Sequence, residues 1–170
     1  IEMAVAHLHE LGHEKIAFLH GSEGCLVSEQ RQEAFEAAMK KAGLKPNPKL
    51  MAYGHFVADS AKYHVPGFLK EGATAIVCGN DLIAQGAIDV CASKGLSCPK
   101  DISIIGFDDL KIAQEMNPPL TTIRQECNDL GRCAYVMLNS LVNNIPISKT
   151  LMRPQLIKRG STAKVNKNKR

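Results

Sequence analysis

Four short apolar runs, each closed by a glycine and separated from the next by helical periodicity, restrict this chain to a narrow set of folds. They are Ile16-Ala17-Phe18-Leu19 before Gly21, Leu50-Met51-Ala52-Tyr53 before Gly54, Ala75-Ile76-Val77-Cys78 before Gly79, and Ile102-Ser103-Ile104-Ile105 before Gly106. Runs of this length with little polar alternation read as strands buried on both faces. The stripe Ala4, Val5, Leu8 and Leu11 precedes the first strand and stops at Gly12. The stripe Ala34, Phe35, Ala38, Met39 and Ala42 follows it, with Ser28 as the expected N-cap and Gly43 as the stop. Ala84, Ala87, Ile88, Cys91 and Ala92 form another stripe, stopped by Gly95. Strand–helix–strand units connect right-handedly, so the expected fold is α/β: a Rossmann-like parallel sheet flanked by helices. A further helix over 59–70 contains Pro66-Gly67. Proline inside a helix costs about 3 kcal/mol, so a kink or break is expected near Val65. Gly106 is expected to turn the chain sharply at the end of the fourth strand.

The 170 residues allow one domain, or one and a fraction, with a sizeable core. No run of 18 apolar residues is present, so no membrane span is expected. The chain starts at Ile1, directly in helical periodicity and without a secretory pattern, and reads as part of something longer. Its net charge of +4 is unevenly placed. Residues 151–170 hold seven basic and no acidic side chains, while residues 1–150 hold 14 basic against 17 acidic. Residues 163–170 are therefore expected to form a basic, disordered tail. Cys25, Cys78, Cys91, Cys98, Cys127 and Cys133 show no C-x-x-C spacing. Unpaired thiols in a domain of this size point to a reducing cytoplasm.

In a parallel sheet the C-terminal strand ends share one edge, which is where ligands bind. Here that edge collects Gly21-Ser22, Gly54-His55-Phe56, Gly79-Asn80-Asp81 and Gly106-Phe107-Asp108-Asp109. Arg31, near the start of its helix, can reach the same edge with a bidentate fork. Carboxylate, amide and guanidinium suit hydroxyl groups, and Phe56 offers a flat face to C–H bonds. Singly, these residues have blander roles: Asp81 as a helix N-cap, Asp109 as a solvated turn residue, Phe56 as loop packing. Their convergence raises the binding reading. Asp108 and Asp109 do not suggest paired acid–base work, because neighbours at a strand end point opposite ways. No G-x-S-x-G, G-x-G-x-x-G or phosphate-binding loop is present, and no nucleophile–base pair is visible. His9 and His13 lie four apart but run into a helix stop. No catalytic residue, metal or cofactor is expected.

Several blocks carry a family resemblance. They are His7-Leu8 through Leu11-Gly12-His13 to Gly21, Arg31 with Ala34-Phe35, Ile76-Val77-Cys78-Gly79-Asn80-Asp81, Ile102-Ser103-Ile104-Ile105-Gly106-Phe107-Asp108-Asp109, Pro119-Leu120-Thr121-Thr122-Ile123-Arg124-Gln125, and Arg159-Gly160-Ser161-Thr162. In this order they resemble the effector-sensing region of the lactose/galactose repressor family of bacterial transcription regulators. The resemblance covers residues 2–163. It implies two periplasmic-binding-protein-like subdomains that close over a small effector, usually a sugar, and control an N-terminal helix-turn-helix absent from this chain. It implies effector contacts at Arg31, Phe56, Asn80, Asp108 and Gln125. It also implies a homodimer, with its contact on residues 111–117 and the helix after Phe56, and no membrane partner.

On this reading residues 1–123 and 151–162 form the C-terminal subdomain. Residues 124–150 are a crossover with a helix of a truncated N-terminal subdomain. That helix, over about 127–143, carries Leu130, Cys133, Ala134, Met137, Leu138, Leu141 and Val142 on one stripe. With its partner strands missing, it should fold back on the sheet, swap onto a second chain, or be poorly ordered. Residues 154–157 are expected to add an edge strand. A transporter's periplasmic-type sugar-binding protein is the alternative with the same fold, and the six cysteines argue against it. An α/β enzyme would need a nucleophile or cofactor loop that is not found.

Overall fold

The computed structural model describes residues 1–166 and contains one six-stranded sheet, ordered β2-β1-β3-β4-β5-β6. The strands are β1 (Ile16–His20), β2 (Met51–Tyr53), β3 (Ala75–Cys78), β4 (Ser103–Asp108), β5 (Thr121–Arg124) and β6 (Gln155–Ile157). The first five run parallel, and β6 pairs with β5 antiparallel. The helices are α1 (Glu2–Glu10), α2 (Leu26–Lys41), α3 (Ala61–Lys70), α4 (Asp81–Ser93), α5 (Lys111–Glu115) and α6 (Cys127–Val142).

Alternate side chains of the central strands feed two cores. Leu19, Ile76, Cys78 and Ile104 face α3 and α4, packing with Val65, Phe68, Ile83 and Ala87. Ile16, Phe18, Val77 and Ile105 face the other way, onto Val5 and Leu8 of α1 and Phe35 and Met39 of α2. Burial on both sides is why these strands lack polar alternation.

Five local expectations need correction. The helix containing Pro66 runs unbroken over Ala61–Lys70, preceded by a 3-10 turn at Ala58–Ser60. Proline removes the bond to the carbonyl four residues back, at Lys62, an exposed residue whose carbonyl is not confined to the core. The N-cap of α2 is Cys25, not Ser28. The turn closed by Cys25 N–H on the Ser22 carbonyl starts the helix earlier and leaves Ser28 buried in its first turn. Asn80, not Asp81, caps α4. Leu50 belongs to a 3-10 turn at Pro48–Leu50, so β2 is shorter than expected. Finally, β4 does not end at Gly106. It continues to Asp108 because β5, a strand the sequence pattern did not reveal, pairs Gly106 with Thr122 and Asp108 with Arg124. Gly106 serves close approach rather than a turn. A Cβ there would overlap Asp81 Oδ1 and stand 2.6 Å from Leu120 Cδ2.

The final segment is pinned across the bottom of the sheet. Ile104 N–H donates to the Ser161 carbonyl at 2.9 Å, and Thr121 N–H donates to Ser161 Oγ at 2.8 Å. Val165 N–H reaches the Leu11 carbonyl at 3.0 Å, and the His13 ring bonds the Ala163 carbonyl at 3.0 Å. Residues 163–166 of the expected tail are thus held in place, and 167–170 lie outside the described residues. Helix α6 forms as expected, but no residue of it is buried. It does not fold back on the sheet. Residues 150–154 run beside it instead, leaving Leu138 61% and Leu141 53% exposed.

Replacing Gly106 by Ala should destabilise the fold by roughly 1–3 kcal/mol through overpacking. Replacing Gly67 by Ala, where nothing stands within 4 Å, should stabilise α3 by roughly 0.5–1 kcal/mol. Urea unfolding of both variants checks the pair, and a harmless Gly106→Ala would show that the close approach is not needed.

Candidate effector site

The sheet order reverses between β1 and β3: the chain goes one way to β2 and the other way to β4. Such a switch point opens a crevice outside the C-terminal strand ends. Arg31, on the second turn of α2, straddles it. Its Nη1 donates to the Gly79 carbonyl after β3 at 2.8 Å, and its guanidinium lies 3.7 Å above the Phe107 ring. Burial lowers the Arg31 pKa, and the Asp108 carboxylate nearby opposes that shift. The ring below and the bond to Gly79 together hold the guanidinium in place.

Asp108 ends β4 with φ of 103°, a conformation few non-glycine residues adopt. Its Oδ1 accepts from Gln125 Nε2 at 2.7 Å. Gln125 follows β5 directly, which explains the meeting: the β4–β5 register places Asp108 opposite Arg124. Asn80 spends its amide on structure. Oδ1 accepts from Ile83 N–H at 2.8 Å, and Nδ2 donates to the Phe56 carbonyl at 3.1 Å. Phe56 and His55 both have positive φ, at 58° and 52°. That tight turn lays the Phe56 ring against Gly21, where a Cβ would overlap it.

The five expected residues therefore fall into two groups on one edge, with Gln125 bonded to Asp108 in one and Asn80 bonded to Phe56 in the other. Arg31, Asp108 and Gln125 gather around Phe107. Asn80 and Phe56 stand beside Gly21, with Gly79 between the groups. A cavity of about 460 Å³ opens on Phe107 and Gln125, walled by Leu130, Met137 and Met152 among others.

Other features went unassigned from sequence. Phe107 supplies the face under Arg31, and its place two residues beyond buried Ile105 in an unexpectedly long strand was the missing signal. Asp109 is not a solvated turn residue. Its side chain is 3% exposed and bridges Arg124 Nε at 2.6 Å and Arg159 Nη2 at 2.7 Å. Asp81 is fully buried, with Thr122 Oγ1 donating at 2.6 Å and Leu110 N–H at 2.7 Å. Burial pushes its pKa up to about 6 against those two donors, which act to lower it. His20 is buried between Phe18 and Tyr53, and burial lowers its pKa to about 4, so the ring is neutral near pH 7. Among the described residues, no three His, Cys, Asp or Glu side chains are grouped to hold a metal.

A mostly parallel sheet with polar groups gathered at its switch point is an α/β architecture whose crevice suits a small ligand. The chain belongs to the family of periplasmic binding protein-like domains, whose family pattern matches residues 5–162. It is 39% identical over 157 residues to the HTH-type transcriptional repressor PurR of Actinobacillus pleuropneumoniae serotype 3, covering 91% of this chain and 46% of that protein. A sugar-binding transcriptional regulator of the LacI family from Escherichia coli, solved with phosphate, superposes with a TM-score of 0.89 at 30% identity, covering 96% of this chain and 60% of the other. The lac repressor dimer bound to operator and the anti-inducer ONPF superposes with the same TM-score at 30% identity, covering 95% and 57%. The chain spans about half the length of the curated relatives it matches.

Asp81 generates a test through linkage. Its folded pKa, about 6, lies above the ordinary 3.8. Between those values the folded protein holds a proton that the unfolded chain has lost. The Asp81 contribution to stability is therefore greatest near pH 4 and below, and falls as pH rises through about 6. The stability of wild type relative to Asp81→Asn should drop by roughly 2 kcal/mol from pH 4 to pH 7. Urea unfolding at both pH values checks it, and a pH-independent difference would refute the buried-carboxylate assignment.

Proposed function

We propose that this chain is the effector-sensing region of a bacterial transcriptional repressor and that a polyhydroxylated small molecule, a sugar, binds across Arg31, Phe56, Asn80, Asp108 and Gln125. The single observation that carries the reading is the Arg31 guanidinium, stacked on Phe107 and anchored to the Gly79 carbonyl across the switch point. Its remaining donors, the Asp108 carboxylate and the flat Phe56 ring match the hydroxyl and C–H surfaces of a sugar. The repressor relatives support the regulatory role, and they favour it over a transporter's binding protein. No catalytic step is assigned to the site.

In this reading residues 1–123 and 151–162 are one subdomain, and 124–150 are the crossover into a second that closes over the effector. The exit and return lie side by side, since Arg124 pairs with Gln155. An effector that touches both subdomains favours the closed form by its differential affinity, and that shift reaches a helix-turn-helix elsewhere in the protein. The working protein is a cytoplasmic homodimer. Exposed Val57, Tyr63, Leu82 and Leu110 around α3, the start of α4 and α5 supply its apolar contact. Operator DNA is reached only through the helix-turn-helix, and no membrane or cofactor takes part. Among the described residues no helix is long and apolar enough to cross a membrane.

Titration calorimetry of the full-length protein with D-ribose, D-glucose and D-galactose tests the site. Removing a charged partner from a buried hydrogen bond costs roughly 1.5–3 kcal/mol, so Arg31→Ala and Asp108→Ala should each weaken binding roughly 10- to 100-fold. Unchanged affinity in both variants, with melting temperature confirming that they fold, would rule the site out.

A further inference from the structure

Among the six free cysteines, Cys25 stands in a setting of its own. Burial raises the pKa of Cys78 well above the ordinary value, that of Cys91 to about 11 and that of Cys98 to about 12, which makes them inert small hydrophobes. Cys25 is only half-buried, at the N-cap of the sixteen-residue helix α2, after a turn whose Gly24 has φ of 70°. Its neutral thiol closes no cap hydrogen bond. A thiolate would. The N–H groups of Ser28 and Val27 face the sulfur and lower its pKa, the Ser28 hydroxyl adds to them, and only the Glu29 charge and slight burial oppose. Arg31, one and a half turns on, is close enough to feel the charge of the sulfur.

The Ser28 hydroxyl is the second, independent observation. It is fully buried, yet it has no hydrogen-bond partner in the neutral state. An unpaired buried hydroxyl loses free energy that a better acceptor would recover. The sulfur beside it becomes that acceptor when it ionises. The first turn of α2 thus favours a negative sulfur, with backbone amides and an unpaired hydroxyl beside it and the Arg31 charge within electrostatic reach.

We propose that Cys25 is a reactive thiol that exchanges with low-molecular-weight disulfides and carries the adduct at the mouth of the strand-end crevice. The sulfur of Cys25 attacks one sulfur of the small disulfide. A new S–S bond forms, the old one breaks, and one small thiolate leaves, so no other oxidant is required. The adduct hangs on the loop of Gly21 and beside Arg31, where it competes with occupation of the crevice. That consequence rests on the proposed effector reading, whereas the exchange chemistry does not.

Glutathione disulfide is the probe, with intact mass and peptide mapping as the readout at pH 7. Below its pKa, each unit by which a thiol's pKa falls raises its exchange rate about threefold, because the gain in thiolate outweighs the loss of nucleophilicity. Cys25 should therefore react faster than Cys127, the exposed comparator. Ser28→Ala should slow Cys25 about twofold and leave Cys127 unchanged. Equal rates at Cys25 and Cys127, or no effect of Ser28→Ala, would overturn the proposal. In a second arm, D-ribose, D-glucose and D-galactose are titrated into the adduct and into Cys25→Ser protein treated alike. Binding lost in the first and kept in the second supports competition at the crevice, and binding kept in both overturns that part. If untreated protein binds none of the sugars, the effector reading fails, while the labelling rates still decide the chemistry of the thiol.

Discussion

The carboxylate of Asp81 joins three parts of the molecule that are far apart in sequence. It lies at the start of α4, accepts from Thr122 of β5 and from the Leu110 amide leading into α5, and occupies the space a side chain at position 106 would need. The β4–β5 ladder can therefore run on to Asp108 only if position 106 is glycine. Asp108 reaches Gln125 only because the ladder continues. The site geometry thus depends on one buried acid whose full desolvation is only partly offset by its two donors. Buried polar groups of this kind specify one arrangement more sharply than they stabilise it, since any alternative leaves them unpaired.

The legible part of the fold was the part dictated by burial alone. Strands β1 and β3 have uninterrupted apolar runs because both faces are covered, and their boundaries follow from hydropathy within a residue. Strand β5 was illegible for the opposite reason. Thr121 and Thr122 are fully buried polar residues whose hydroxyls are satisfied by Thr162, Arg159 N–H and Asp81, so the sequence looked like a loop. At the site, the residues were recognisable by type and position at strand ends. Their division into two groups was not, because it follows from register and from the positive-φ turn at His55-Phe56. Asp109 was misread because its partners Arg124 and Arg159 are 15 and 50 residues away, beyond any local pattern.

Family membership and the superposed repressors agree with the geometry on the fold: a mostly parallel sheet flanked by helices, with a switch point at its centre. What the chain adds is a specific distribution of labour. Asn80 directs both of its side-chain hydrogen bonds to the backbone and so holds the Phe56 turn in place. Arg31 keeps donors in reserve over an aromatic floor. Asp108 is already engaged on one oxygen by Gln125, so its carboxylate is oriented rather than bare.

The pairing of Arg124 with Gln155 places the departure and the return of residues 125–154 on neighbouring rungs of one ladder. The sheet sees that whole excursion as an oversized hairpin loop. Closing such a loop costs an entropy that grows only with the logarithm of its length, about 0.6 kcal/mol per doubling. Beyond Gln125, the sheet is accordingly little affected by how long the detour is. A two-residue turn or a complete folded module could be spliced between those rungs, and β5, β6 and the pinned C-terminal segment would keep their places.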